Sequence, residues 1–160
     1  MISFDVGRDK FNFRVGAIVL DSANERILMN TRDGIDFFVL PGGRVEMGED
    51  TITSLKREFE EELGVGVTVV GLKAVAENFF EFNDKKYHEL QYLYIVKLND
   101  LAIEKNKGRL YAVEEKDVFE WKSIKDIDSI NYRPNILKEP IKEVLGGDYS
   151  IRHYIHKGNG

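Results

Sequence analysis

At 160 residues the chain suits a single domain, residues 1–160, able to bury about 70% of its unfolded-state surface. Its 42% hydrophobic and 32% charged residues include no apolar run of membrane-spanning length, and Asp5, Arg8, Asp9, Lys10 and Arg14 stand where a signal peptide would be apolar. The lack of cysteine excludes a disulfide framework, a thiolate zinc site and a cysteine nucleophile and fits a cytoplasmic protein, while a net charge of −5 argues against a DNA-binding role.

In chain order, Phe11 to Leu20 reads as an apolar-rich strand. A turn at Asp21-Ser22-Ala23-Asn24 leads into a strand over Arg26 to Met29. Phe37 to Leu40 predicts a short strand running into Leu40-Pro41-Gly42-Gly43, a turn whose glycines let backbone come close to a ligand. A helix follows. Asp50 or Thr51 can cap its start, and Gly64 suits the left-handed position that ends it. Ile52, Leu55, Phe59 and Leu63 form one apolar stripe along it.

Beside that stripe, Glu58, Glu61 and Glu62 lie at i, i+3 and i+4, inside an arc of about 100°. Three carboxylates so placed repel each other, and the usual group to sit among them is a hard divalent cation with oxygen ligands. Arg57 can pair with a neighbouring carboxylate and hold it in one rotamer. Glu60 points to the opposite side and reads as solvated.

Val67 to Phe82 and Tyr87 to Leu98 predict a long hairpin across Asn83-Asp84-Lys85-Lys86. Phe79, Phe80, Phe82, Tyr87, His88, Tyr92 and Tyr94 populate it, and Phe37 and Phe38 precede the glycine turn. At strand spacing most of these belong to the core, though some can stack on a base. His88 reads as packed or exposed rather than as a metal ligand. Val118 to Lys122 is a further strand. Pro134 lies near the start of a second helix that ends around Gly146-Gly147. In the tail, residues 148–160, Tyr149, Ile151, Tyr154 and Ile155 allow an edge strand or a flexible end. The sum is an α/β chain with a mixed sheet between helical layers.

From Gly43 to Val65 the chain reads GRVEMGEDTITSLKREFEEELGV. Five residues separate Gly43 from Glu49 and seven separate Glu49 from Arg57, followed by Glu58, Phe59, Glu61, Glu62, Gly64 and Val65 at fixed places. This resembles the Nudix box, the signature of hydrolases that cleave a nucleoside diphosphate linked to another moiety. Phe59 stands where the family usually has an aliphatic residue. The resemblance implies an α/β/α sandwich with the box as loop, helix and loop, in which Gly43 and Gly64 are structural.

It further implies that Glu58, Glu61 and Glu62 bind Mg²⁺ (or Mn²⁺ in its place), with the Gly42 carbonyl completing the set and Glu49 and Arg57 orienting the ligands. Water activated by the metal would then attack phosphorus with no covalent intermediate. The general base would be a box glutamate or a carboxylate from elsewhere: Glu115 is the first choice and Glu89 the second, each weighed against an ordinary surface or strand-edge role. The partner implied is a small-molecule nucleotide, without a membrane, and a homodimer is common in the family. Phe80 and Glu81 replace the proline expected of ADP-ribose hydrolases, and Phe82 the tyrosine expected of dinucleoside-polyphosphate hydrolases. That leaves hydrolysis of a nucleoside triphosphate or an oxidised nucleotide, with ADP-ribose, a dinucleoside polyphosphate or a capped RNA end as alternatives. A non-catalytic sensor would be expected to carry an eroded box, and the related isoprenoid isomerase chemistry needs a cysteine.

Overall fold

A computed structural model describes residues 1–106, 109–112 and 116–158. Its elements are β1 (Ser3–Val6), β2 (Asp9–Val19), β3 (Arg26–Arg32), β4 (Gly42–Arg44), α1 (Thr51–Leu63), β5 (Val67–Phe82), β6 (Lys85–Leu98), α2 (Leu101–Glu104), β7 (Arg109–Tyr111), β8 (Asp117–Ser123), α3 (Lys138–Leu145) and β9 (Arg152–Lys157). The larger sheet runs β1-β2-β6-β5-β9, with β4 beside β1 on the same edge of β2; the smaller runs β3-β8-β7. The larger sheet is mixed, because β2 and β9 lie parallel to their inner neighbours while β5 and β6 are antiparallel. Among the described residues no helix is long and apolar enough to cross a membrane.

Strand alternation sorts the apolar residues into two cores. Val15, Ala17 and Val19 of β2 join Leu55 and Phe59 of α1, Tyr94 and Val96 of β6 and Phe119 of β8. Ile18, between them in sequence, turns to the other side with Leu93, Ile27 and Met29, where Ile141 and Val144 of α3 cover it. The expected sandwich, a mixed sheet between helical layers, is therefore present, with a second small sheet contributing to both cores.

Local chemistry sets the boundaries of α1. The Asp50 side chain accepts from the Thr53 backbone N–H at 2.8 Å, and Gly64 ends the helix at φ 65°. Its buried side differs from the expected stripe. Ile52 is exposed, and Ser54 is buried with Leu55 and Phe59. The helix is rolled toward its acidic side because Ser54 Oγ and the Arg57 guanidinium both bond Glu49 in the preceding loop.

Three other segments depart from expectation. Phe37 to Leu40 forms no ladder: Val39 exchanges bonds with Asn30, whereas Phe38 bonds Asn131 and Arg133, so two partners share what one strand would need. The hairpin turn contracts to Asn83-Asp84, both left-handed at φ 50° and 62°, a conformation these short polar side chains tolerate. A 3₁₀ turn at Asn135–Leu137 stands between Pro134 and α3. Of the two readings of the tail, the edge strand holds over Arg152–Lys157, where β9 pairs with β5. A polar clamp anchors it: fully buried Lys73 donates to the Ser150 carbonyl at 2.6 Å and faces Glu143 at 3.5 Å.

Candidate active site

The loop before α1 is pinned from both sides. A Cβ at Gly42 would lie 2.0 Å from the Val15 carbonyl oxygen, so only glycine lets β4 pack against β2 there. At Gly43 a Cβ would meet the Glu58 carboxylate, 2.3 Å from its Cδ. The glycine pair thus draws backbone and carboxylate together.

Arg57 organises the acidic side chains. Its Nε donates to both Glu49 oxygens at 3.0 and 3.1 Å, and Nη1 donates to Glu58 at 3.1 Å and Glu61 at 3.2 Å. Nη2 reaches the Arg44 carbonyl at 3.3 Å. A lysine lacks the planar fork to make this set. Burial pushes the Glu58 carboxyl above its ordinary value; Arg57 and a hydrogen bond with Glu62 pull the other way, and the Glu61 charge adds to the rise.

Glu58, Glu62, Gly42 and Gly43 line one cleft of about 570 Å³, with Asp117 also on its wall. Glu61 is bonded to Arg57 with its side chain 55% exposed, and Glu49 lies behind Arg57. Among the described residues no three acidic or histidine side chains converge on one point. The donors nonetheless fit a hard cation by chemistry: they are oxygens alone, burial of Glu58 works against its ionisation, and like charges stand beside it. Glu115 lies outside the described residues.

A second cavity, about 250 Å³, shares Arg14, Phe37, Val39, Arg44 and Phe82 with the cleft. It lies on one face of the larger sheet, where alternation points Asn12 and Arg14 of β2, Tyr87, Glu89 and Gln91 of β6, Asn78 and Phe80 of β5 and His156 of β9 the same way. Phe80 and Tyr87 stack at 4.7 Å and 6°, and the Arg133 guanidinium lies 4.7 Å over the Phe37 ring. Glu89 is here, not in the acidic cleft. Its Oε2 accepts from Asn12 Nδ2 at 2.8 Å, and Asn12 Oδ1 accepts from Ser3 Oγ at 2.7 Å. Arg14 and Arg44, paired in register, line both spaces.

Of the aromatic residues singled out in the sequence, Phe37, Phe80, Phe82 and Tyr87 line this cavity. Phe79 and His88 stack on each other at 4.3 Å on the opposite face, His88 being exposed. Sequence reasoning passed over Asn12, Arg14, Asn78, Gln91, Arg133 and His156. The available signal was polar residues at alternate strand positions among apolar neighbours, as at Asn12 and Arg14.

Comparison with known proteins adds to this geometry. A family profile described as "NUDIX domain" matches residues 10–143. An "8-oxo-dGTP diphosphatase" of Buchnera aphidicola subsp. Schizaphis graminum is 32% identical over 99 residues, which cover 61% of this chain and 65% of that relative. Among solved structures, a UDP-X diphosphatase superposes with a TM-score of 0.61 at 22% identity, covering 89% of this chain and 66% of that one. The mutator protein MutT of Bacillus halodurans superposes at 0.58 and 23% identity, covering 90% of each. At such identities these two structures establish likeness of fold alone.

Proposed function

The chain belongs to the Nudix family, and from that premise we propose that it hydrolyses a diphosphate linkage in a nucleoside triphosphate or an oxidised nucleotide. One observation carries the reading. The acidic cleft shares a wall, Arg14 and Arg44 included, with an aromatic cavity of about 250 Å³. The 32% identity to a protein named for 8-oxo-dGTP supports the same substrate class.

Glu58, Glu61 and Glu62, with Gly42 beside them, would hold Mg²⁺ or Mn²⁺, which when bound offsets phosphate charge and makes water more acidic. Arg57 keeps Glu49, Glu58 and Glu61 in fixed rotamers. Arg14 and Arg44 bind the phosphate chain, and Phe80 and Phe37 give the base flat walls. A water oxygen attacks phosphorus, its proton passes to a box carboxylate, and the bridging oxygen leaves with the other phosphate group.

Phosphate release from a panel of triphosphates, oxidised dGTP, ADP-ribose, a dinucleoside polyphosphate and a capped RNA end, with Mg²⁺ and with EDTA, tests the reading. Release from a triphosphate that EDTA abolishes is the expected result. No release from any member, while nucleotides still raise the melting temperature, would overturn it in favour of a sensor.

A further inference from the structure

We propose that Glu89 and Asn78 read the base edge in the aromatic cavity and select a guanine over an adenine nucleotide. This rests on the nucleotide reading above and adds which base is taken. Glu89 carries a carboxylate into a cavity walled by Phe37, Phe80 and Tyr87. Among the described residues its one hydrogen-bond partner is Asn12, and no cation pairs with it. An anion so placed is short of donors. Asn12 is itself 1% exposed and fixed by Ser3, so the carboxylate is aimed, with Oε1 and the second lone pair of Oε2 left for a ligand.

Asn78 stands directly opposite Glu89 in the β5–β6 register. It is 6% exposed, and its Oδ1 lies 2.7 Å from His156 Nδ1. With that nitrogen protonated the ring donates, the Asn78 oxygen is satisfied, and the amide N–H groups remain to donate into the cavity. The protein therefore presents an anionic acceptor beside a neutral donor.

Guanine is the complement of that pair. Its O6 accepts from Asn78, while N1–H and one N2–H donate to the two oxygens of Glu89. Adenine can offer one N6–H to Glu89 and N1 to Asn78, one bond fewer and without the fork on the carboxylate. The edge is the same in guanine and in its C8-oxidised form, so these residues choose the base and not its oxidation state.

The test is calorimetric binding of GMP, IMP, XMP and AMP to the whole chain without metal, where nothing turns over. GMP should bind about tenfold more tightly than AMP, and more tightly than IMP, which lacks the 2-amino group. Glu89→Gln should weaken GMP about tenfold or more and strengthen XMP, because a glutamine amide can accept from N1–H and donate to the xanthine O2. GMP and AMP within twofold of each other on the unaltered chain would overturn the proposal whether or not the variant folds. So would a variant that weakens all four alike. The outcomes separate from the reading beneath: triphosphate hydrolysis without base preference sinks this inference alone, and GMP preference without hydrolysis sinks the hydrolase alone.

Discussion

The acidic cleft and the aromatic cavity share a wall, yet they are built in opposite ways. Apart from Asp117, the acidic residues come from one short stretch, Glu46 to Glu62, where one guanidinium touches three carboxylates. The cavity draws scattered residues from β2, β5, β6 and β9, and a neutral amide holds its Glu89 carboxylate. Charge density is concentrated where a diphosphate would be cut, and shape and hydrogen bonding where a base would sit. On the proposed function, the first region would carry reaction chemistry common to many substrates, and the second the choice among them. Damage to the two should show in different kinetic parameters.

The largest effect should come from Glu62→Gln, which removes a charge from the cleft at almost constant shape. Turnover should fall at least about a hundredfold, with the melting temperature little changed, as steady-state kinetics and a thermal melt would show. Near-normal turnover would leave the acidic cleft without its assigned role.

A smaller, different effect is expected across the shared wall. Phe80→Ala removes a ring that stacks on Tyr87 and lines the cavity. Losing one base stack should raise KM about tenfold, the scale of 1–2 kcal/mol, while kcat stays within about threefold. A fall in kcat matching that of Glu62→Gln would break the division between the two regions.

The same contrast explains what was legible in the sequence. Glu58, Glu61 and Glu62 sit on one helix, so spacing alone placed them on one face, and Arg57 and the glycines stand in the same short stretch. What spacing missed was the roll of α1. Whether Ile52 or Ser54 turns inward depends on a bond from Ser54 to Glu49 in the loop, which helical periodicity does not contain. The cavity was almost opaque. Asn12 meets Glu89 across 77 positions and Asn78 meets His156 across 78, contacts that exist only once β6 lies beside β2 and β9 beside β5. Read singly, each was an ordinary polar residue on a strand. Even β1 left little trace, since Phe4 and Val6 are both exposed.

A third region, outside both, gives the control with the smallest effect. Asp21 closes the turn between β2 and β3: Oδ1 accepts from the backbone N–H groups of Glu25 and Arg26 at 2.8 and 3.1 Å, and Oδ2 accepts from Arg26 Nε at 2.9 Å. Burial alone would push this carboxyl up, but Arg26 and the two backbone groups outweigh it and hold it below its ordinary 3.8. A folded pKa below the unfolded one means that the ionised form stabilises the fold above the unfolded value, and that this stabilisation is lost as pH falls through the folded one. Asp21→Asn should therefore cost about 1–2 kcal/mol at pH 7, read by urea denaturation. The difference from the unaltered chain should shrink steadily below about pH 4, where the natural carboxyl also loses its charge. Because Asp21 touches neither the cleft nor the cavity, kcat and KM at pH 7 should stay unchanged. A shift in either would mean that the β2–β3 turn helps set the site, and the contrast between a locally built cleft and a remotely assembled cavity would have to include it.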